Sequence, residues 1–154
     1  MRRRIGALAA AVSFASALGA CEDQSYRTIG AEIGVLTTRH DQLVDRSIER
    51  LRGFGKRALP QIEIALHTAS DTGRENLVTA LERIGVPDAI PILRHFALYD
   101  MNANLRAHCE QVLKTWAAES ANARSPAATF ALTRLAELRA AGEAPAPARP
   151  PATR

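Results

Sequence analysis

The sequence predicts an all-α protein, a short α-solenoid of stacked antiparallel helix pairs. Three observations predict it. Between Asp45 and Trp116 the chain repeats with a period of about 31 residues, the length of one helix pair. Within each unit, apolar residues recur at the spacing that lines one face of an α-helix. Between these stripes lie Ser70-Asp71-Thr72-Gly73 and Asp100-Met101-Asn102-Ala103-Asn104, rich in residues that turn a chain.

Taken from the start, residues 1–21 read MRRRIGALAAAVSFASALGAC: three arginines, then an apolar stretch from Ile5 to Ala20 interrupted only by small Gly and Ser. That stretch falls short of the ~20 residues that span a bilayer, so residues 1–20 read as a cleaved export signal. Its end, Leu18-Gly19-Ala20-Cys21, resembles the bacterial lipobox. The resemblance implies that Cys21 receives a thioether-linked diacylglycerol and becomes the acylated first residue. Cleavage after Ala15-Ser16-Ala17 is the alternative, leaving Cys21 an ordinary thiol. Two or more acyl chains hold a protein on a leaflet without spanning it, so the membrane is one expected partner. Glu22 follows the cysteine where an inner-membrane retention signal carries aspartate. That favours a periplasm-facing position at the outer membrane of a cell envelope. Residues 21–28 then act as a lipidated tether.

Residues 29–118 are the predicted helical domain. Ile29, Ile33, Leu36, Leu43, Val44 and Ile48 give one long helix or two shorter ones that close the N-terminal side, with Thr37-Thr38 the doubtful join. Leu59, Ile62 and Leu66 mark the next helix, and Leu77, Leu81 and Ile84 the one after it. The following pair carries Ala89, Leu93 and Phe96, then Leu105, Cys109, Val112 and Trp116. Pro87 stands where a helix can begin, and Asp88 favours its positive end. Pro60 and Pro91 fall about one turn in, where they should bend their helices slightly. Residues 119–141 hold a capping helix opened by Ser125-Pro126, with Phe130, Leu132 and Leu135 as its apolar stripe. Residues 142–154 alternate Ala and Pro and are expected to form a disordered tail.

The repeat itself is specific in places. Phe54-Gly55 matches Ile84-Gly85, and Ala58-Leu59-Pro60 matches Ala89-Ile90-Pro91. Arg74, Leu77, Ala80, Leu81 and Ile84 recur as Arg106, Cys109, Val112, Leu113 and Trp116. The run from Ala80 to Leu93, ALERIGVPDAIPIL, followed by Asp100 and Leu105-Arg106, resembles HEAT repeats, particularly the short type named after phycobilisome lyases. The resemblance covers residues 45–118 and implies a right-handed stack of helix pairs. It further implies that Asp71 with Arg74, and Asp100 with Arg106, pair along the stack. The first unit departs from the pattern, having no proline that matches Pro87.

Charge and motifs then narrow the function. Residues 22–119 carry 12 Lys+Arg and 14 Asp+Glu, so the basic balance of the whole chain belongs to its two ends. A nucleic-acid surface needs clustered cations, and none is visible. No nucleophile signature, phosphate loop, HExxH, CxxC or CxxCH occurs. His40, His67, His95 and His108 fall in different predicted helices, which favours solvated or capping roles over a metal site. Cys109 lies on an apolar stripe, as a buried inert thiol would, and Trp116 reads as core or as a terminal seal. No catalysis, metal or cofactor is therefore expected. The expected function is a lipid-anchored envelope protein that uses its helical stack as a scaffold for another envelope protein. The alternative is an exported lyase-like, metal- or chromophore-binding component, which a deep pocket lined by two or more of His67, His95 and His108 would favour. Oligomeric state and the partner's identity are not legible.

Overall fold

The computed structural model describes residues 9–38, 42–119 and 124–142, and for residues 9–23 the helical backbone alone. The start of the expected export signal, His40, the side chain of Cys21 and residues 143–154 of the expected tail lie outside the described residues. The protein is all-helical, with no strand among the described residues, and its helices pack against one another.

Among the described residues seven α-helices follow in order: α1 Ala9–Thr38, α2 Gln42–Phe54, α3 Leu59–Thr68, α4 Asp71–Ile84, α5 Ile90–Tyr99, α6 Ala103–Ala118 and α7 Ser125–Ala140. Successive helices pair, α1 on α2, α3 on α4 and α5 on α6. The pairs join through one row in which α2 touches α4 and α4 touches α6, while α1 also touches α3 and α4. Helix α7 closes the far side by lying on both α5 and α6. One continuous core threads the pairs, from Ile29 through Leu51, Leu66, Leu81 and Leu113 to Leu135.

Local chemistry sets the ends of these helices. The Ser70 hydroxyl accepts the Gly73 N–H at 3.3 Å and so caps α4. The Asn102 side chain does the same for α6, accepting from Asn104 N–H at 2.9 Å and from Leu105 N–H at 3.4 Å. Each cap satisfies donors that the first helical turn leaves without a partner. Helix α4 stops at Gly85, whose φ of 64° is the left-handed conformation that side chains resist.

Helix α1 runs through residues 21–28 without interruption, so the expected tether is helical in its backbone. Nothing in Glu22–Thr28 stops a helix: the segment has neither a proline nor a glycine. One expectation needs correction: Pro60 and Pro91 do not sit a turn inside their helices. Short 3-10 turns, Gly55–Ala58 and Pro87–Ala89, take up the preceding residues, so both prolines occupy the first turn of α3 and α5. A missing N–H there removes no helical hydrogen bond, and no bend is required.

The two glycines matched in the repeat make a controlled pair. Both Gly55 and Gly85 have positive φ, 56° and 64°. A Cβ at Gly55 would meet open space, whereas one at Gly85 would collide with the Arg124 guanidinium. Gly55→Ala should therefore lower stability by about 1 kcal/mol through backbone strain alone. Gly85→Ala should lower it by roughly twice that, since the side chain lying over it must move as well. Chemical unfolding of the two variants side by side checks the difference; equal losses would contradict it.

Candidate functional site

The helix pairs place four charged residues where the turns meet. Asp71 and Arg74 lie in the first turn of α4, Asp100 lies in the turn before α6, and Arg106 lies in the first turn of α6. The structure brings all four together. Arg74 Nη1 donates to Asp100 Oδ2 at 2.6 Å, and its other terminal nitrogen donates to Asp71. Asp100 Oδ1 accepts the backbone N–H of Asn102 at 2.7 Å. Arg106 serves the backbone instead, donating to the carbonyls of Asp100 at 2.7 Å and Met101 at 3.2 Å. The carboxylate that matters is Asp100, whose side chain is only 2% exposed.

The acceptors of Asp100 are occupied, while the buried Arg74 Nε has no hydrogen-bond partner among the described residues. Both Asp100 oxygens already hold donors, and both terminal nitrogens of Arg74 already donate. Asp71 is exposed, and the Arg74 hydrogen bond holds its carboxyl below the ordinary range, with the Arg74 charge and the Asn102 amide adding to it against slight burial. Asp71 is therefore not set up to exchange a proton near neutral pH. The four residues tie one helix pair to the next.

A second buried carboxylate joins α1 to α2. Glu32 accepts from the Ser47 hydroxyl at 2.6 Å and from Arg50 Nη1 at 2.7 Å. Burial pushes its carboxyl up, but the two hydrogen bonds and the Arg50 charge outweigh that and leave it below its ordinary value of 4.5. The sequence carries a signal for it that polarity obscured, since Glu32 falls on the same stripe as Ile29, Ile33 and Leu36. A depressed carboxyl binds its proton more weakly in the folded state than in the unfolded one. Its contribution is therefore complete above the ordinary value and is lost as pH falls through the folded value. Stability should accordingly drop as the medium is acidified below about pH 4.5. In Glu32→Gln the acid limb should be shallower, and stability at pH 7 lower by about 1–2 kcal/mol. Denaturant midpoints measured from pH 7 to pH 3 check both.

Cys109 is fully buried in α6. Burial, with the nearby negative charge of Asp100, pushes its thiol up to about 12. At pH 8 roughly one thiol in ten thousand would be ionised, so the group is inert as a nucleophile. In a Cys21→Ser variant, which leaves Cys109 as the single thiol, reaction with a disulfide reagent at pH 8 should proceed only as fast as the chain unfolds. Completion within seconds in the absence of denaturant would contradict this.

The aromatic residues fall into two groups. Trp116, 2% exposed, ends the buried stripe of α6, and the Arg124 guanidinium lies 4.9 Å from its ring centre. Arg124 also donates to the Gly85 carbonyl at 2.8 Å, fastening the start of α7 over the end of α4. The other group is a cluster that sequence reasoning did not assemble. His67 of α3 and His95 of α5 lie with ring centres 5.9 Å apart. Both pack on Phe96, at 5.0 and 5.3 Å, and Tyr99 stands 5.1 Å from His95. Phe96 is buried while both histidines and Tyr99 are exposed, so the cluster forms an open face. No signal at helical spacing could have revealed it, because the two imidazoles come from different helices. No group of three or more metal-ligating side chains occurs among the described residues, and no described helix is long and apolar enough to cross a membrane. No family model, curated protein or solved structure matches this chain.

Proposed function

We propose that the chain is a lipid-anchored protein of the bacterial cell envelope whose short stack of HEAT-like helix pairs is a protein-interaction scaffold without catalytic activity. The observation that carries the stack is Arg74. It bridges the aspartates of two successive inter-helix turns, Asp71 and Asp100, where the HEAT resemblance calls for a ladder of this kind. The repeat supports the same reading, since Gly55 and Gly85 share a left-handed conformation, Gly55 opening a 3-10 turn and Gly85 preceding one, with a proline-bearing helix start after each. Paired rigid helices present a broad surface and need no pocket to do so.

The anchor rests on Leu18-Gly19-Ala20-Cys21. Cleavage before Cys21 is compatible with this fold, because the described residues that α1 adds to the core, Ile29, Ile33 and Leu36, all follow that point. The helical course of residues 21–28 would hold the domain about 12 Å from the acylated end. Labelling with radioactive palmitate, with and without globomycin, tests the anchor. Wild type should take up label and Cys21→Ser should not, and globomycin should leave a heavier, uncleaved form. An unlabelled wild type would end the lipoprotein reading. For the scaffold role, gentle solubilisation and affinity capture should recover one stoichiometric envelope protein; recovery of the chain alone would count against it.

A further inference from the structure

The histidine pair does not contribute to the stack's core, and its geometry has a chemical use. His67 and His95 arise from separate helices, α3 and α5, yet their rings meet over one shared floor, the buried ring of Phe96. That floor restricts how far either imidazole can swing while leaving both open to solvent. Imidazole is the commonest protein ligand for divalent transition ions. Two imidazoles that share one ion through metal–nitrogen bonds of about 2.1 Å have ring centres roughly 5 Å apart. The observed ring centres lie 5.9 Å apart, so the two rings close by about 1 Å to share an ion.

We propose that His67 and His95 form a two-imidazole site for a divalent transition ion, of the borderline class of Zn2+, Ni2+ and Cu2+. No cluster of three or more ligating side chains exists among the described residues, so the ion keeps several positions for water. Such a site is exchangeable rather than structural, because no part of the core depends on it. It is distinct from the Asp71–Arg74–Asp100 ladder, whose ligand atoms are already occupied by donors. Cys109 does not compete, being buried and protonated. The site bridges α3 and α5, so an ion bound there clips together the helices of adjacent pairs. It does not depend on the lipid anchor, and the two proposals fail separately.

Calorimetric titration of the full chain with nickel chloride in a non-chelating buffer at pH 7.5 tests the assignment. One ion should bind per chain, and the imidazole signals of His67 and His95 should broaden first in proton spectra because Ni2+ is paramagnetic. His67→Gln and His95→Gln should each weaken binding at least tenfold, while His108→Gln should leave it unchanged. Far-UV circular dichroism of the two exposed-site variants should match wild type, and saturating Ni2+ should raise the melting temperature of wild type but of neither variant. Equal affinity in wild type and in His67→Gln, or an equal loss in His108→Gln, would overturn the proposal.

Discussion

Replacing Trp116 by alanine should lower the unfolding free energy by about 3–5 kcal/mol, among the largest effects of any single truncation in this chain. The indole is 2% exposed and sits within the one continuous core, against which α7 also packs through Ala128, Ala131 and Leu135. Its removal leaves a cavity at the junction of α6 and α7 and takes away the surface under the Arg124 guanidinium. Arg124 in turn ties the start of α7 to the Gly85 carbonyl, so part of the loss should appear as fraying of α7. Trp116→Phe should retain about half of the stability that alanine forfeits, because an aromatic ring still fills most of the space. Guanidinium unfolding followed by circular dichroism measures both, and hydrogen exchange along residues 125–140 reports the fraying. A loss below about 1 kcal/mol for alanine would mean that Trp116 is not the seal between these helices.

A comparable loss, about 3–5 kcal/mol, is expected for Asp100→Ala. The Asp100 side chain is 2% exposed and Arg74 is 18% exposed, so truncating Asp100 leaves a largely buried cation with only the exposed Asp71 as counter-charge. It also removes the acceptor of the Asn102 N–H, which shapes the turn into α6. Asp100→Asn should be milder, since an amide oxygen can still accept that N–H while the charge is lost. The double variant Arg74→Met with Asp100→Leu should lose less than the two single changes together, because apolar groups leave no buried charge behind. Strict additivity would show that the pair is not energetically coupled. Arg106→Ala, by contrast, should lose only about 1 kcal/mol, because its guanidinium supplements two backbone carbonyls of the turn.

Much of the architecture was legible in the residues because it is local. Leu77, Leu81 and Ile84, or Leu105, Cys109, Val112 and Trp116, declare a buried helical face at their own spacing, and each of them is buried. The turn sequences around Ser70 and Asn102 mark where one helix gives way to the next, and the structure adds that these two side chains cap α4 and α6. Positions that hinge on an exact boundary were harder. Whether Pro60 and Pro91 bend a helix or start one depends on the two 3-10 turns ahead of them, and a period of about 31 residues does not resolve such turns. The continuity of α1 through residues 21–28 was hidden for a related reason. A tether and a helix end can have the same composition, and only the packing of the following residues favours one over the other.

The sequence alone therefore determined the helical class, the apolar faces of α3 to α6 and the turns between paired helices, but not the face of α7, where Phe130 of the expected stripe is exposed. Each of these depends on neighbours within about one or two helical turns along the chain. The tertiary structure decided which charges and rings meet across helices. It set Arg74 between Asp71 and Asp100, put Glu32 against Ser47 and Arg50, laid Arg124 over Trp116, and joined His67 to His95 above Phe96. Those meetings depend on how far each helix is rotated and shifted as it docks on the next. Rotation and shift are set by the summed packing of many apolar side chains, a quantity that no local spacing encodes.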